Sequence, residues 1–172
     1  MHTYEAFSIL DKVNSTFGPS EFGRISQILL GFSFLRSGYD VPTMQLSGRP
    51  DIVATNRKSS YILEVKTSNS SVIPLKKEDI QGTNGVQGST PIIAVLSYPE
   101  IEIEWTFADA SKLRSSVYNK SALKLFSISG LESEINQQFF AVLEKFQTLM
   151  MLGTNILLQT FREEQKRALH NR

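Results

Sequence analysis

Between Gly48 and Ser68 the sequence reads GRPDIVATNRKSSYILEVKTS, and no other stretch restricts the fold as much. Ile52-Val53-Ala54 and Tyr61-Ile62-Leu63 are short β-prone runs, and Asn56 to Ser60 between them is polar and turn-forming. Two strands joined by a tight turn bring Asp51, at the start of the first, beside Glu64 and Lys66 near the end of the second. Side chains two apart on a strand share a face. Glu64 and Lys66 therefore point one way, and Val65 points the other way into the core. Two carboxylates and an ammonium converging in one place are costly to pack together. A divalent cation bound by the carboxylates supplies a reason for the arrangement.

Composition narrows the chemistry further. The 172 residues suffice for one domain with a normal core. There is no Cys, which excludes disulfides and thiolate zinc sites, and the two His, His2 and His170, stand at the ends. A His-based metal site or a Ser-His-Asp triad is not expected. The net charge of +1 conceals a pattern. From Arg49 to Lys77 the only acids are Asp51 and Glu64, set among Arg49, Arg57, Lys58, Lys66, Lys76 and Lys77. From Glu78 to Asp109 the charged residues are all acidic. A positive surround with an embedded acidic pair suits a phosphodiester and a bound cation. The N-terminus has no signal-peptide pattern and no apolar run reaches the length of a membrane span. The expectation is an intracellular chain that makes no use of a membrane.

Along the chain, Phe7, Leu10 and Val13 predict a first helix within Met1 to Thr16, broken at Phe17-Gly18-Pro19. A second helix is expected from about Glu21 to Ser37, with Ile25, Ile28, Leu29, Phe32 and Leu35 as its apolar stripe, Ser20 as N-cap and Gly38 as terminator. Tyr39 to Val41 and Met44 to Leu46 read as extended. Lys76 to Gln81 starts a third helix, soon interrupted by Gly82, Gly85 and Gly88. Pro91 to Leu96 is apolar throughout, as in a strand buried on both faces. Ile101 to Phe107 alternates and predicts a strand with Ile101, Ile103, Trp105 and Phe107 inward and Glu102 and Glu104 in solvent. Ala110 to Lys124 is basic around Tyr118, which suits either a nucleic-acid contact or a solvated segment. Two C-terminal helices, Leu131 to Met150 and Ile156 to Leu169, carry more apolar surface than one small sheet face needs. They are expected to cap the sheet or to form a homodimer interface.

Pro50-Asp51, a spacer of twelve residues and Glu64-Val65-Lys66 together resemble the PD-(D/E)XK nuclease superfamily. The order of Glu21, an apolar helix and then Leu35-x-x-Gly38-Tyr39 resembles archaeal Holliday-junction resolvases and related restriction-type enzymes. The resemblance implies an α/β fold, restriction-endonuclease-like, with a mixed central sheet flanked by helices and a helical C-terminal part. A nuclease core over residues 1–125 and a helical extension over 126–172 follow. Asp51, Glu64, Lys66 and Glu21 are the implied catalytic residues, with Glu5 as the alternative for the helix glutamate. Asp51, Glu64, Glu21 and the carbonyl of Val65 are the implied ligands of Mg²⁺, with Mn²⁺ as a substitute. Arg49, Lys58, Lys76 and Lys77 are candidate contacts to nucleic acid, joined by Gln81, or alternatively Gln87, from the helix after the Lys66 strand. The expected activity is hydrolysis of DNA, duplex or branched. The competing expectations are a non-catalytic nucleic-acid-binding or assembly subunit of the same fold, and an unrelated α/β binding module.

Overall fold

The computed structural model describes residues 3–46, 50–68, 70–83, 87–97 and 103–170. Helix α1 is assigned over Thr3–Arg36, but Gly18 inside it is not helical (φ 79°, ψ 171°) and is followed by Pro19. The chain therefore kinks where the sequence predicts a break. At the far end, Gly38 takes a positive φ of 84°. Its N–H donates to Leu35 O at 3.1 Å, and the Tyr39 N–H donates to Phe34 O at 3.0 Å. Those two bonds form a Schellman ending, which a glycine permits because it has no Cβ to clash.

A five-stranded sheet follows in the order β1-β2-β3-β5-β6: β1 (Asp40–Met44), β2 (Ile52–Thr55), β3 (Ser60–Ser68), β5 (Thr90–Ser97) and β6 (Trp105–Asp109). β3 and β5 run parallel and the other neighbours antiparallel. The fold is thus α/β with a mixed central sheet. The crossover from β3 to β5 contains β4 (Val72–Leu75) and α2 (Lys77–Gln81). After β6 come a 3₁₀ turn (Ala110–Lys112), β7 (Ser116–Asn119), α3 (Lys120–Lys124), α4 (Ser129–Met150) and α5 (Thr154–His170). β4 and β7 pair as a separate two-stranded ribbon. Of the expected alternating strand, Ile101 and Glu102 lie outside the described residues, as does Gly85. The described part begins at Ile103, and Ile103, Trp105 and Phe107 enter the core.

Alternation along the strands divides the core in two. Ile52, Ala54, Leu63, Ile92, Ala94, Leu96, Trp105 and Phe107 face α1, α4 and α5. Ile93, Val95 and Ala108 face a smaller cluster with Ile73, Leu75, Ala110, Leu113 and Leu123. Both faces of β5 are covered, so its side chains from Ile92 to Ser97 are all buried. The sequence predicts an apolar stripe on the second half of α1, yet every residue from Ile25 to Phe34 is buried. The helix lies between the sheet and the pair α4 and α5, so it has no solvent side over those turns. Phe32 marks the junction: its ring stacks on Phe146 of α4 at 4.0 Å and meets Phe161 of α5 edge-on at 5.1 Å. Much of the C-terminal apolar surface is used in this way, while Leu152, Ile156 and Leu169 remain exposed.

Both outer strands have their edges covered. On β6, the side chain of Asn136 accepts from Trp105 N–H at 2.7 Å and donates to Trp105 O at 2.8 Å. One turn earlier on α4, Glu132 accepts from Phe107 N–H at 3.2 Å, and Asp109 N–H donates to Phe126 O at 2.9 Å. On β1, Gln165 of α5 donates to Val41 O, and Pro42 has no N–H to offer.

Burial raises the pKa of Glu132 above the ordinary carboxylate value of 4.5, against the opposing pull of the Phe107 N–H, Lys124 and Lys120. The folded state therefore holds this proton more tightly than the unfolded chain does. Its contribution to stability declines as pH rises through and above 4.5. Glu132→Gln keeps an acceptor for Phe107 N–H and removes the buried charge. Its melting temperature at pH 7 should equal or exceed the parent's, with a shallower fall from pH 4.5 upward. Thermal unfolding of both proteins across that range is the measurement, and a clearly lower value for the variant at pH 7 would refute it.

Candidate active site

The hairpin of β2 and β3 fixes the centre. Ile52 pairs with Leu63 and Thr55 with Ser60. Asn56 closes the turn by accepting from Lys58 N–H and Ser59 N–H, both at 2.8 Å. The paired register ends at Ile52 and Leu63, and Asp51 stands just before it at the start of β2. Asp51 is held from three sides. Its N–H donates to Leu63 O at 3.1 Å, its O accepts from Gln27 Nε2 at 3.2 Å, and its Oδ2 accepts from Val65 N–H at 2.7 Å.

The last of these bonds has a consequence for Val65. In a strand, the N–H and C=O of one residue point to the same side. The Val65 carbonyl therefore also points toward the β2 side, at the level where β2 has ended and Asp51 begins. The side chain of Val65 packs into the α1 core. Glu64 and Lys66 lie on the opposite face, in register with Ile93 and Val95.

Glu64 is 5 % exposed. Lys66 Nζ lies 3.1 Å from Glu64 Oε1 and 2.9 Å from Asp79 Oδ1. Burial works against the Lys66 charge, but the hydrogen bond to Asp79 and the neighbouring Glu64 outweigh it. The ammonium is held above the usual lysine range. Asp79 is itself buried, and its Oδ2 accepts from Lys76 N–H at 2.8 Å, joining the third helical position of α2 to the residue before the helix.

Asp51 is thus tied to Val65, and Lys66 to Glu64, at neighbouring positions of β3. Other expected members are not. Glu21 lies on α1, behind the face that Glu64 and Lys66 occupy. Its Oε1 accepts from Thr154 N–H at 3.0 Å, at the start of α5, and Oε2 is 3.7 Å from Arg24. The hydrogen bond to Thr154, partly opposed by burial, holds its pKa below the usual range, with Arg24 adding to the effect. Glu21 thereby caps the N-terminus of α5. Glu5 is exposed and borders a groove with Glu144 and Gln147. Among the described residues, no three His, Cys, Asp or Glu side chains converge closely enough to hold a metal ion.

Lys58 is exposed in the turn at the other end of the hairpin. β3 begins at Ser60, four residues or about 13 Å of strand before Glu64. Lys58 borders a cleft of about 880 Å³ with Gly38, Asp40, Asn56 and Arg57, away from the acid pair. Gln81 and Gln87 are exposed, and the buried polar position on α2 belongs to Asp79 instead. Lys76 and Lys77 are exposed at the start of α2, next to Asp79. Arg49 lies outside the described residues. Lys120 and Lys124, in the basic stretch before α4, pair with Glu104. Glu104 is consequently an ion-pair partner and not the solvated acid that the alternation predicts.

Two residues of the centre escape sequence reasoning. Gln27 is buried and donates to Gln45 O at 2.6 Å as well as to Asp51 O. Its signal was an amide within an otherwise apolar run on α1. Asp79 carries a weaker signal, because an acid in the first turn of a helix is common.

No protein-family model matches the sequence, and no curated protein matches it. Among solved structures, Hjc, a Holliday junction resolvase from Archaeoglobus fulgidus, is similar over 59% of this chain and 88% of that one, with 18% identity and a TM-score of 0.47. Among the described residues no helix is long and apolar enough to cross a membrane.

Proposed function

We propose that this protein is a Mg²⁺-dependent DNA endonuclease of the resolvase or restriction type, centred on Asp51, Glu64 and Lys66. The observation that carries this reading is the end of the β2–β3 hairpin. There the Asp51 carboxylate is tied to the Val65 N–H, next in the chain to Glu64, and Lys66 pairs with Glu64 on one face of β3. The donor set fits a hard divalent cation, since it consists of two carboxylates and the Val65 carbonyl. A carboxylate has about four lone-pair sites, so the bond from Val65 N–H leaves Asp51 capable of ligation. Such a cation would neutralise phosphodiester charge and make a water more acidic. Lys66 donates hydrogen bonds to the attacked phosphate and balances the charge that grows there. Water adds to phosphorus, one P–O ester bond breaks, and the products are a phosphomonoester end and a hydroxyl end. Lys76 and Lys77 pair with flanking phosphates.

The direct test is incubation with supercoiled duplex, four-way junction and single-stranded DNA, each with Mg²⁺ and with chelator. Cleavage of at least one substrate that requires the metal is expected, and preference among the three assigns the substrate class. Absence of cleavage from all three with either Mg²⁺ or Mn²⁺ would sink the proposal.

One observation favours a second reading. The Lys66 ammonium is already engaged by two buried carboxylates, as in a structural ion-pair network. A DNA-binding or assembly subunit would bind the same panel without cutting it.

A further inference from the structure

Asp79 is a second acid on the Lys66 ammonium, beside Glu64, and the chemistry above gives it no task. It is 3 % exposed, and its two oxygens bind different partners: Oδ1 takes the Lys66 ammonium and Oδ2 the Lys76 N–H. A buried acceptor fixed at both oxygens is rigid. Lysine, by contrast, loses rotamer entropy when held in one place. Glu64 alone would hold Lys66 only as long as its own carboxylate stays turned toward the ammonium, and the same carboxylate is the candidate cation ligand.

We infer that Asp79 is a positioning residue that tethers the Lys66 ammonium to the start of α2, so that the lysine stays at the acid pair when Glu64 engages a cation. The inference rests on the reading of Lys66 as the group that faces the phosphate. It also ties the exposed Lys76 and Lys77 to Lys66 through one short piece of backbone, because Lys76 N–H and Lys66 Nζ share the Asp79 carboxylate.

The test uses Asp79→Asn, Asp79→Glu, Lys66→Ala and the pair Lys66→Ala with Asp79→Asn. Asparagine retains an oxygen for Lys76 N–H, so α2 is expected to hold, and melting temperature checks this. The first measurement is the rate at which Lys66 is acylated by an amine-specific reagent at fixed pH, read by peptide mass spectrometry with and without Mg²⁺. Asp79→Asn should raise that rate by about tenfold, the scale of one lost hydrogen bond to a charged group, and more so with Mg²⁺. Asp79→Glu should stay near the parent. The second measurement is DNA cleavage. Asp79→Asn should lower kcat by about tenfold with KM for DNA unchanged, and should cost nothing further once Lys66 is Ala.

Unchanged acylation in Asp79→Asn, with and without Mg²⁺, overturns the inference. So does a loss of cleavage that adds in full to that of Lys66→Ala. Should the parent cut no DNA, the nuclease reading fails on its own, and the acylation rates still decide whether Asp79 tethers Lys66.

Discussion

Lys66→Ala should cut DNA about 100- to 1,000-fold more slowly than the parent, the loss found when one donor to a developing negative charge is removed, while its affinity for the same DNA stays nearly unchanged. The separation of the two effects is the informative part. The ammonium sits beside two acids, so in the resting protein it contributes little net positive field to a passing phosphate. Its contribution should therefore be felt mainly as charge accumulates at phosphorus. Single-turnover cleavage with excess protein, paired with fluorescence anisotropy under chelator, separates chemistry from binding. Equal cleavage by Lys66→Ala and parent would remove Lys66 from the chemistry. Removing the ammonium also leaves the buried Glu64 and Asp79 without their shared cation. A melting curve for the variant confirms that lost cleavage is not lost fold.

The largest expected effect on stability comes from Phe32→Ala. The side chain is fully buried, stacked on Phe146 and edge-on to Phe161, where α1, α4 and α5 meet. Truncating a core phenylalanine costs about 3–5 kcal/mol. The upper part of that range is expected because the neighbouring rings belong to two separate helices and cannot both move into the space. Denaturant unfolding should show an earlier midpoint with an unchanged slope. A loss below about 1 kcal/mol would mean that the three helices are packed more loosely than the ring distances imply.

The sequence made some of this legible for physical reasons. The β2–β3 hairpin could be read because its turn residues, β-prone runs and two-residue side-chain period are all local. The apolar run of β5 and the breaks at Gly18 and Gly38 were readable on the same grounds. Glu21 is a different case. An acid in the first turn of an amphipathic segment looks alike whether it serves a distant acid pair or caps another helix. The docking of α5 against α1 decides between them, and that contact joins residues 133 apart. Asp79 was hidden likewise: it reaches Lys66 only because the crossover after β3 folds back over the Glu64 face. The complete burial of α1 follows from layering, which no single helical stripe announces.

The covered margins of the five-stranded sheet decide how this molecule can associate. With Asn136, Glu132 and the Phe126 carbonyl taking up the amides of β6, and with Pro42 and Gln165 blunting β1, recruitment of a foreign strand to either flank is blocked while α4 and α5 stay docked. Among the described residues, what a second copy or another protein would then meet is side chains or the small β4–β7 ribbon. Mutations that loosen the two C-terminal helices should then reveal themselves first as clumping of the protein, before the β2–β3 hairpin has lost its shape.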